Sequence, residues 1–195
     1  MARIVAAVVF IFAVCASGSA QADIVINGGF ETGDFTGWAL SGDTTFCGVS
    51  RVTPELAHDT TVQSGQYGAY FGTAHSLTYL SQTLSTTPGQ AYNLSFWLAD
   101  YDGTPNEFTA SWNGAVLIDQ KDALFSSTFT QFDYHVIAAT AGTILQFGFR
   151  QDSNYMVFDT VSVTATSVPI PGALLLLGPG FGGLAALRRR STRRR

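Results

Sequence analysis

The sequence predicts an all-β sandwich or jelly roll, and three observations lead there. No stretch between residues 23 and 167 sustains an apolar period of 3.6 over three turns, whereas alternation at period two recurs along it. The alternating runs are short, enough for roughly nine or ten strands, and clusters of Gly, Asp, Asn, Ser and Thr separate them. Nothing repeats at a period of about 20–50 residues, which removes solenoids and propellers.

The elements follow from the alternation. Tyr92, Leu94, Phe96 and Leu98 share one face of a strand, leaving Asn93, Ser95, Trp97 and Ala99 on the other. Phe108, Ala110 and Trp112 alternate with Thr109 and Ser111. Asn113-Gly114 then supplies two residues tolerant of positive φ before Val116 and Ile118 resume, so a type I′ hairpin is expected. Leu145, Phe147 and Phe149 alternate with Gln146, Gly148 and Arg150, and a last strand is expected over Met156–Thr164. Trp38 and Trp112 are assigned to the core.

Charge is divided by position. All fourteen carboxylates lie between Asp23 and Asp159, against Arg51, Lys121 and Arg150; fourteen acids less three bases leave the stretch 23–167 at −11. Such a body repels phosphate backbones, so nucleic acid is excluded as a partner. The other basic residues sit at the ends: Arg3, then Arg188, Arg189, Arg190, Arg193, Arg194 and Arg195.

Residues 1–22 carry Arg3, an apolar run from Ile4 to Cys15 and a small-x-small close at Ala20-Gln21-Ala22. That order describes a secretory signal peptide cleaved between Ala22 and Asp23. A retained anchor is the alternative, for which the run is short. Bulky Val14 argues against a lipoprotein site at Cys15. Removal of the leader leaves Cys47 as the lone thiol, either buried or open to intermolecular pairing. The expected domain spans 23–164. Residues 165–195 form a spacer, Val168-Pro169-Ile170-Pro171, an apolar run over 172–187 and the arginine cluster. A 16-residue run makes about 24 Å of helix, short of the ~30 Å hydrocarbon core, and it includes Pro179; this suits a transient membrane stay. The arginines favour a cytoplasmic C-terminus.

The order of Val168, Pro169 and Pro171, a short apolar span, and Arg188, Arg189 and Arg190 resembles the PEP-CTERM sorting signal. Ile170 stands where that family usually carries Glu. The resemblance implies recognition and removal by an exosortase, a membrane-embedded cysteine protease of Gram-negative bacteria that commonly make exopolysaccharide.

A second resemblance begins at Ile26-Asn27-Gly28-Gly29-Phe30-Glu31-Thr32-Gly33, with Gly37-Trp38 after it. Ser64-Gly65, Tyr67–Gly72, Tyr92–Leu98 and Phe158-Asp159-Thr160-Val161-Ser162-Val163 follow in order. Together they resemble galactose-binding-like jelly rolls, a group that includes carbohydrate-binding modules. The resemblance implies that Glu31 on an opening strand and Asp159 on the closing strand hold one structural Ca²⁺, an ion that takes hard oxygen ligands.

Other candidates are weighed on their chemistry. Aromatic rings offer flat apolar faces to sugars, and Trp97, on the face opposite Phe96, and Tyr101 are the candidate carbohydrate contacts; Tyr67, Tyr70 and Tyr79 are further ones. Asp100-Tyr101-Asp102-Gly103 lacks the later oxygen ligands of an EF-hand and is read as a solvated turn. Asp119 and Asp122 are read as loop acids. There is no Gly-x-Ser-x-Gly, and His58, His75 and His135 lack metal-ligand spacing, so no catalytic residue is assigned. The expectation is an exported, non-catalytic protein of the envelope or extracellular matrix, membrane-anchored as a precursor, with a carbohydrate-binding or structural role. The alternatives are a hydrolase of matrix glycans and a surface-layer or ice-associated protein.

Overall fold

The computed structural model describes residues 21–51, 62–101, 103–123, 125–152 and 154–166. The expected leader up to Ala20 and the sorting signal, Val168, Pro169, Pro171 and Arg188–Arg190 included, lie outside the described residues. Ten strands form: β1 Ala39–Gly42, β2 Cys47–Arg51, β3 Tyr67–Phe71, β4 Thr78–Ser85, β5 Ala91–Asp100, β6 Asn106–Trp112, β7 Ala115–Lys121, β8 Thr130–Ile137, β9 Gly142–Gln151 and β10 Met156–Ala165. They build two five-stranded sheets, in the orders β1-β4-β9-β6-β7 and β2-β3-β10-β5-β8, and every pairing is antiparallel.

The period-two pattern explains the layering. Leu80 and Leu84 of β4, Phe108, Ala110 and Trp112 of β6, and Leu145, Phe147 and Phe149 of β9 are buried. They meet Phe71, Leu94, Phe96, Leu98, Phe158 and Val163 of the opposite sheet. The sheets are joined ring to ring, with Phe71 stacked on Phe149 at 3.9 Å and Phe96 set edge-on to Phe147 at 5.0 Å. Trp38 and Trp112 are buried as expected. Asn113 and Gly114 both take positive φ, 49° and 81°, as a type I′ turn requires.

Two differences from the sequence reading bear on function. The segment from Ile24 to Trp38, expected to open with a strand, is irregular. It follows β10 through one bridge, Asp23 to Thr164, and through the pairs Ile24 N–H to Val163 O and Val161 N–H to Gly28 O. Asn27 and Phe30 take left-handed φ, 53° and 55°, which no continuous ladder accommodates. Glu31 therefore sits in a turn. The second difference concerns Asp100, which is buried at 3% exposure. Its carboxylate accepts from Gln151 Nε2 at 2.6 Å and Asn106 Nδ2 at 3.0 Å, because β5, β6 and β9 end together and the side-chain amides face inward. The expected solvated turn begins with a buried polar tie between both sheets. Asp119 is an exposed acid within β7, and Asp122 follows that strand, its N–H donated to Asn106 O.

Candidate functional site

The outer face of the β2-β3-β10-β5-β8 sheet positions most of the candidate residues. Along β10, Phe158 points inward and Asp159 outward, and the register shifts between Asp159 and Ser162. Thr160, at φ 53°, absorbs the extra residue, so Val161 and Val163 return to the core. Trp97 of β5 is the cross-strand partner of Asp159 and lies partly buried on the same face.

Although it points outward, Asp159 is fully buried. The segment before β3 covers it: Gln63 N–H and Ser64 N–H donate to Asp159 Oδ2 at 2.8 and 3.1 Å, and Thr160 N–H donates to Oδ1 at 2.6 Å. The other end of that segment is held by Glu31, whose Oε1 accepts from Gln66 N–H at 2.9 Å and Tyr67 N–H at 3.1 Å. Burial pushes the Asp159 carboxyl up to about 6, outweighing the N–H donors that pull it down, and the Glu31 charge adds to the rise. The fold thus brings Glu31 and Asp159 together.

Their fit to a divalent cation is specific in part. Both offer hard oxygens, and their repulsion is what a cation would offset. Among the described residues no three His, Cys, Asp or Glu side chains converge on one point, so the rest of a roughly six- to eight-oxygen shell would come from main-chain or neutral side-chain oxygens.

A second feature stands at the end of the sandwich where the β1–β2, β3–β4, β5–β6, β7–β8 and β9–β10 connections gather. Tyr70 of β3 and Tyr155, just before β10, stand perpendicular, with ring centroids 5.4 Å apart and an interplanar angle of 89°. Each rests on a glycine. A Cβ on Gly48 would lie 2.5 Å from the Tyr70 hydroxyl, and a Cβ on Gly72 would lie 2.5 Å from Cδ1 and Cε1 of Tyr155. Bare backbone below lets both rings sit low on the sheet and form an aromatic corner. Tyr155 is 39% exposed, and Phe46, whose C=O accepts Gly72 N–H at 2.7 Å, is 55% exposed. Tyr101 is adjacent through its N–H to Tyr155 O at 3.4 Å; its hydroxyl is buried and burial pushes the phenol up. Tyr155 escaped the sequence reading because it lies in the irregular connection between β9 and β10, where no alternation assigns a face. Its pairing with Tyr70 depends on register between strands distant in sequence.

The solved structures carry the same architecture. A family 61 carbohydrate-binding module, TmCBM61, solved with β-1,4-galactotriose, superposes with a TM-score of 0.58 at 20% identity, over 75% of this chain and all of that one. The K3 cleaved adhesin domain of Lys-gingipain from Porphyromonas gingivalis W83 gives 0.54 at 16%, over 74% and 99%. The CBM22-1 xylan-binding domain of Paenibacillus barcinonensis Xyn10C gives 0.51 at 12%, over 78% and 99%. The fold is the jelly-roll β-sandwich that these domains share. No protein-family model matches the chain, and no curated protein matches it in sequence. At these identities the likeness concerns the fold alone, and the jelly roll supports many functions.

Proposed function

We propose that this jelly roll is a non-catalytic module that binds neutral polysaccharide, and that the corner of Tyr70 and Tyr155 is its principal contact. The carrying observation is the pair of perpendicular, partly exposed rings seated on Gly48 and Gly72. A pyranose presents an apolar C–H face to one ring and a second edge to the other, which matches a corner better than a flat patch. Exposed Phe46, whose C=O holds Gly72 N–H, extends the apolar area, and Trp97 stands two strands from Tyr70 on the same sheet face. The similar fold of a module solved with β-1,4-galactotriose and of a xylan-binding domain supports this ligand class. The net charge of −11 over residues 23–167 selects uncharged chains over anionic ones.

A binding rather than hydrolytic role is supported by the state of the approaching carboxylates: Glu31 and Asp159 are engaged by backbone N–H groups. The same pair is our proposed site for one structural Ca²⁺. On the sequence resemblance we further propose export, exosortase processing and residence at the envelope or in the extracellular matrix.

Affinity-gel electrophoresis through β-1,4-galactan, arabinoxylan and the extracellular polysaccharide of the producing cells tests the reading. Retardation in at least one gel, clearly weakened in the Tyr70→Ala/Tyr155→Ala variant, is expected. Migration unaffected by every gel would refute it.

A further inference from the structure

We propose that the opposite face of the sandwich carries a second glycan-contact surface centred on Tyr79, so that one domain bridges two neutral polysaccharide chains. This rests on the reading of Tyr70 and Tyr155 as the first surface.

Along β4, Thr78, Leu80, Gln82 and Leu84 are buried, which turns Tyr79, Ser81, Thr83 and Ser85 outward. Following the register across the sheet, the row through Tyr79 reads Ser41, Tyr79, Gly148, Thr109, Asp119. The next row reads Ala39, Ser81, Gln146, Ser111, Val116. Tyr79 is the one ring in these two rows. Hydroxyl and amide groups and bare backbone flank it on this side, and the row on its other side carries the charges of Arg150, Glu107 and Lys121.

Gly148 is the unexpected member, because glycine at the centre of a five-stranded sheet weakens the strand and packs nothing. A Cβ there would lie 2.5 Å from Thr109 Oγ1 and 3.1 Å from Tyr79 Cε1. On the other side, Tyr79 Cδ2 lies 3.3 Å from where a Cβ on Gly42 would stand. The two edges of the ring thus lie against the backbone of Gly148 and Gly42. Tyr70 on Gly48 and Tyr155 on Gly72 use the same device on the other sheet. The device recurs on both outer faces, and none of these three rings belongs to the core.

The chemistry suits the same ligand class. The ring offers an apolar face to sugar C–H groups, while Ser81, Thr109, Ser111 and Gln146 lie within one or two strand spacings, about 5–10 Å, to meet hydroxyls. The two ring surfaces look in opposite directions from sheets packed roughly 10 Å apart. A stiff chain lying on one face cannot reach the other without rounding the edge, so simultaneous occupancy joins two chains. Such joining converts a binding module into a cross-link of a polysaccharide matrix.

The test uses the protein as released by its producing cells, with the three polysaccharides named above, and reads gel retardation beside light scattering of dilute polysaccharide on protein addition. Wild type is expected to be retarded and to raise scattering. Tyr79→Ala is expected to remain retarded through the Tyr70–Tyr155 corner and to lose the rise in scattering. Tyr79→Phe, which keeps the ring, is expected to scatter like wild type. Retardation without scattering in the wild type, or undiminished scattering by Tyr79→Ala, overturns the bridging inference and leaves the corner intact. Absence of retardation in every gel removes both.

Discussion

Glu31 and Asp159 hold one short segment by its two ends. Asp159 takes the N–H groups of Gln63 and Ser64, Glu31 takes those of Gln66 and Tyr67, and the residues between cross the outer face of β10. Gly65, at the middle of the span, has φ +77° and lies against the Glu31 carboxylate, where any side chain would collide. The two acids act as acceptors that dock the approach to β3.

Removing the buried end of this latch exposes its cost. Asp159→Ala leaves the N–H groups of Gln63, Ser64 and Thr160 without their acceptor, each in a part-buried setting. A loss of about 1–3 kcal/mol is expected, read by thermal or denaturant unfolding. Hydrogen exchange should accelerate first over residues 62–67. Glu31→Ala, at an exposed position, should cost less and release Gln66 and Tyr67 alone. Wild-type stability and protection in Asp159→Ala would mean that the latch holds nothing.

The latch also sets a pH dependence. Asp159 is raised from 3.8 to about 6 by burial, so the folded chain binds its proton more readily than the unfolded chain does. The stabilisation linked to binding this proton is complete below pH 3.8, declines as the pH rises, and is lost above about 6, leaving the hydrogen bonds of the latch. The unfolding midpoint should fall over that window in the wild type, and Asp159→Asn should flatten the Asp159 component. If Ca²⁺ occupies the pair, added calcium at neutral pH raises the midpoint over that in chelator. Asp159→Asn would abolish the increment, whereas equal midpoints with calcium and with chelator would dismiss the ion.

Charge should discriminate among glycans. With fourteen acids and three bases in residues 23–167, an anionic polysaccharide such as alginate is expected to be excluded at low salt while neutral galactan or arabinoxylan is tested at parity. Tighter retention by alginate than by any neutral chain would contradict the assignment to neutral ligands.

Cys47 is half-buried at the start of β2, its thiol directed to Thr44 O at 3.4 Å. Burial, and after it the Asp43 carboxylate, push the thiol pKa upward. Alkylation of the native protein at neutral pH should be slow and should become fast in denaturant. Equal rates would show that the thiol stands open to pairing between chains.

The strands were legible because burial alternates with the pleat. Phe108, Ala110 and Trp112 declare an inner face by their spacing, and Asn113-Gly114 declares the turn by its tolerance of positive φ. Trp97 could be placed opposite Phe96 on the same ground. Asp100 could not be read that way. Its acid reads as solvent-facing until Asn106 and Gln151, which donate to it, are brought from two other strands. Glu31 and Asp159 were paired through a resemblance, whereas the N–H groups that occupy them appear only once the segment before β3 is laid across β10.

By itself, then, the sequence determined the layers: which side chains face in, where the hairpin turns, and that the body is acidic. These are properties of neighbours in the chain, decided by a period of two and by the charge of each side chain. Only the tertiary structure decided which outward residues meet. Tyr70 with Tyr155, and Tyr79 between Gly42 and Gly148, are products of strand order and register, and register is settled by the packing of the whole core at once.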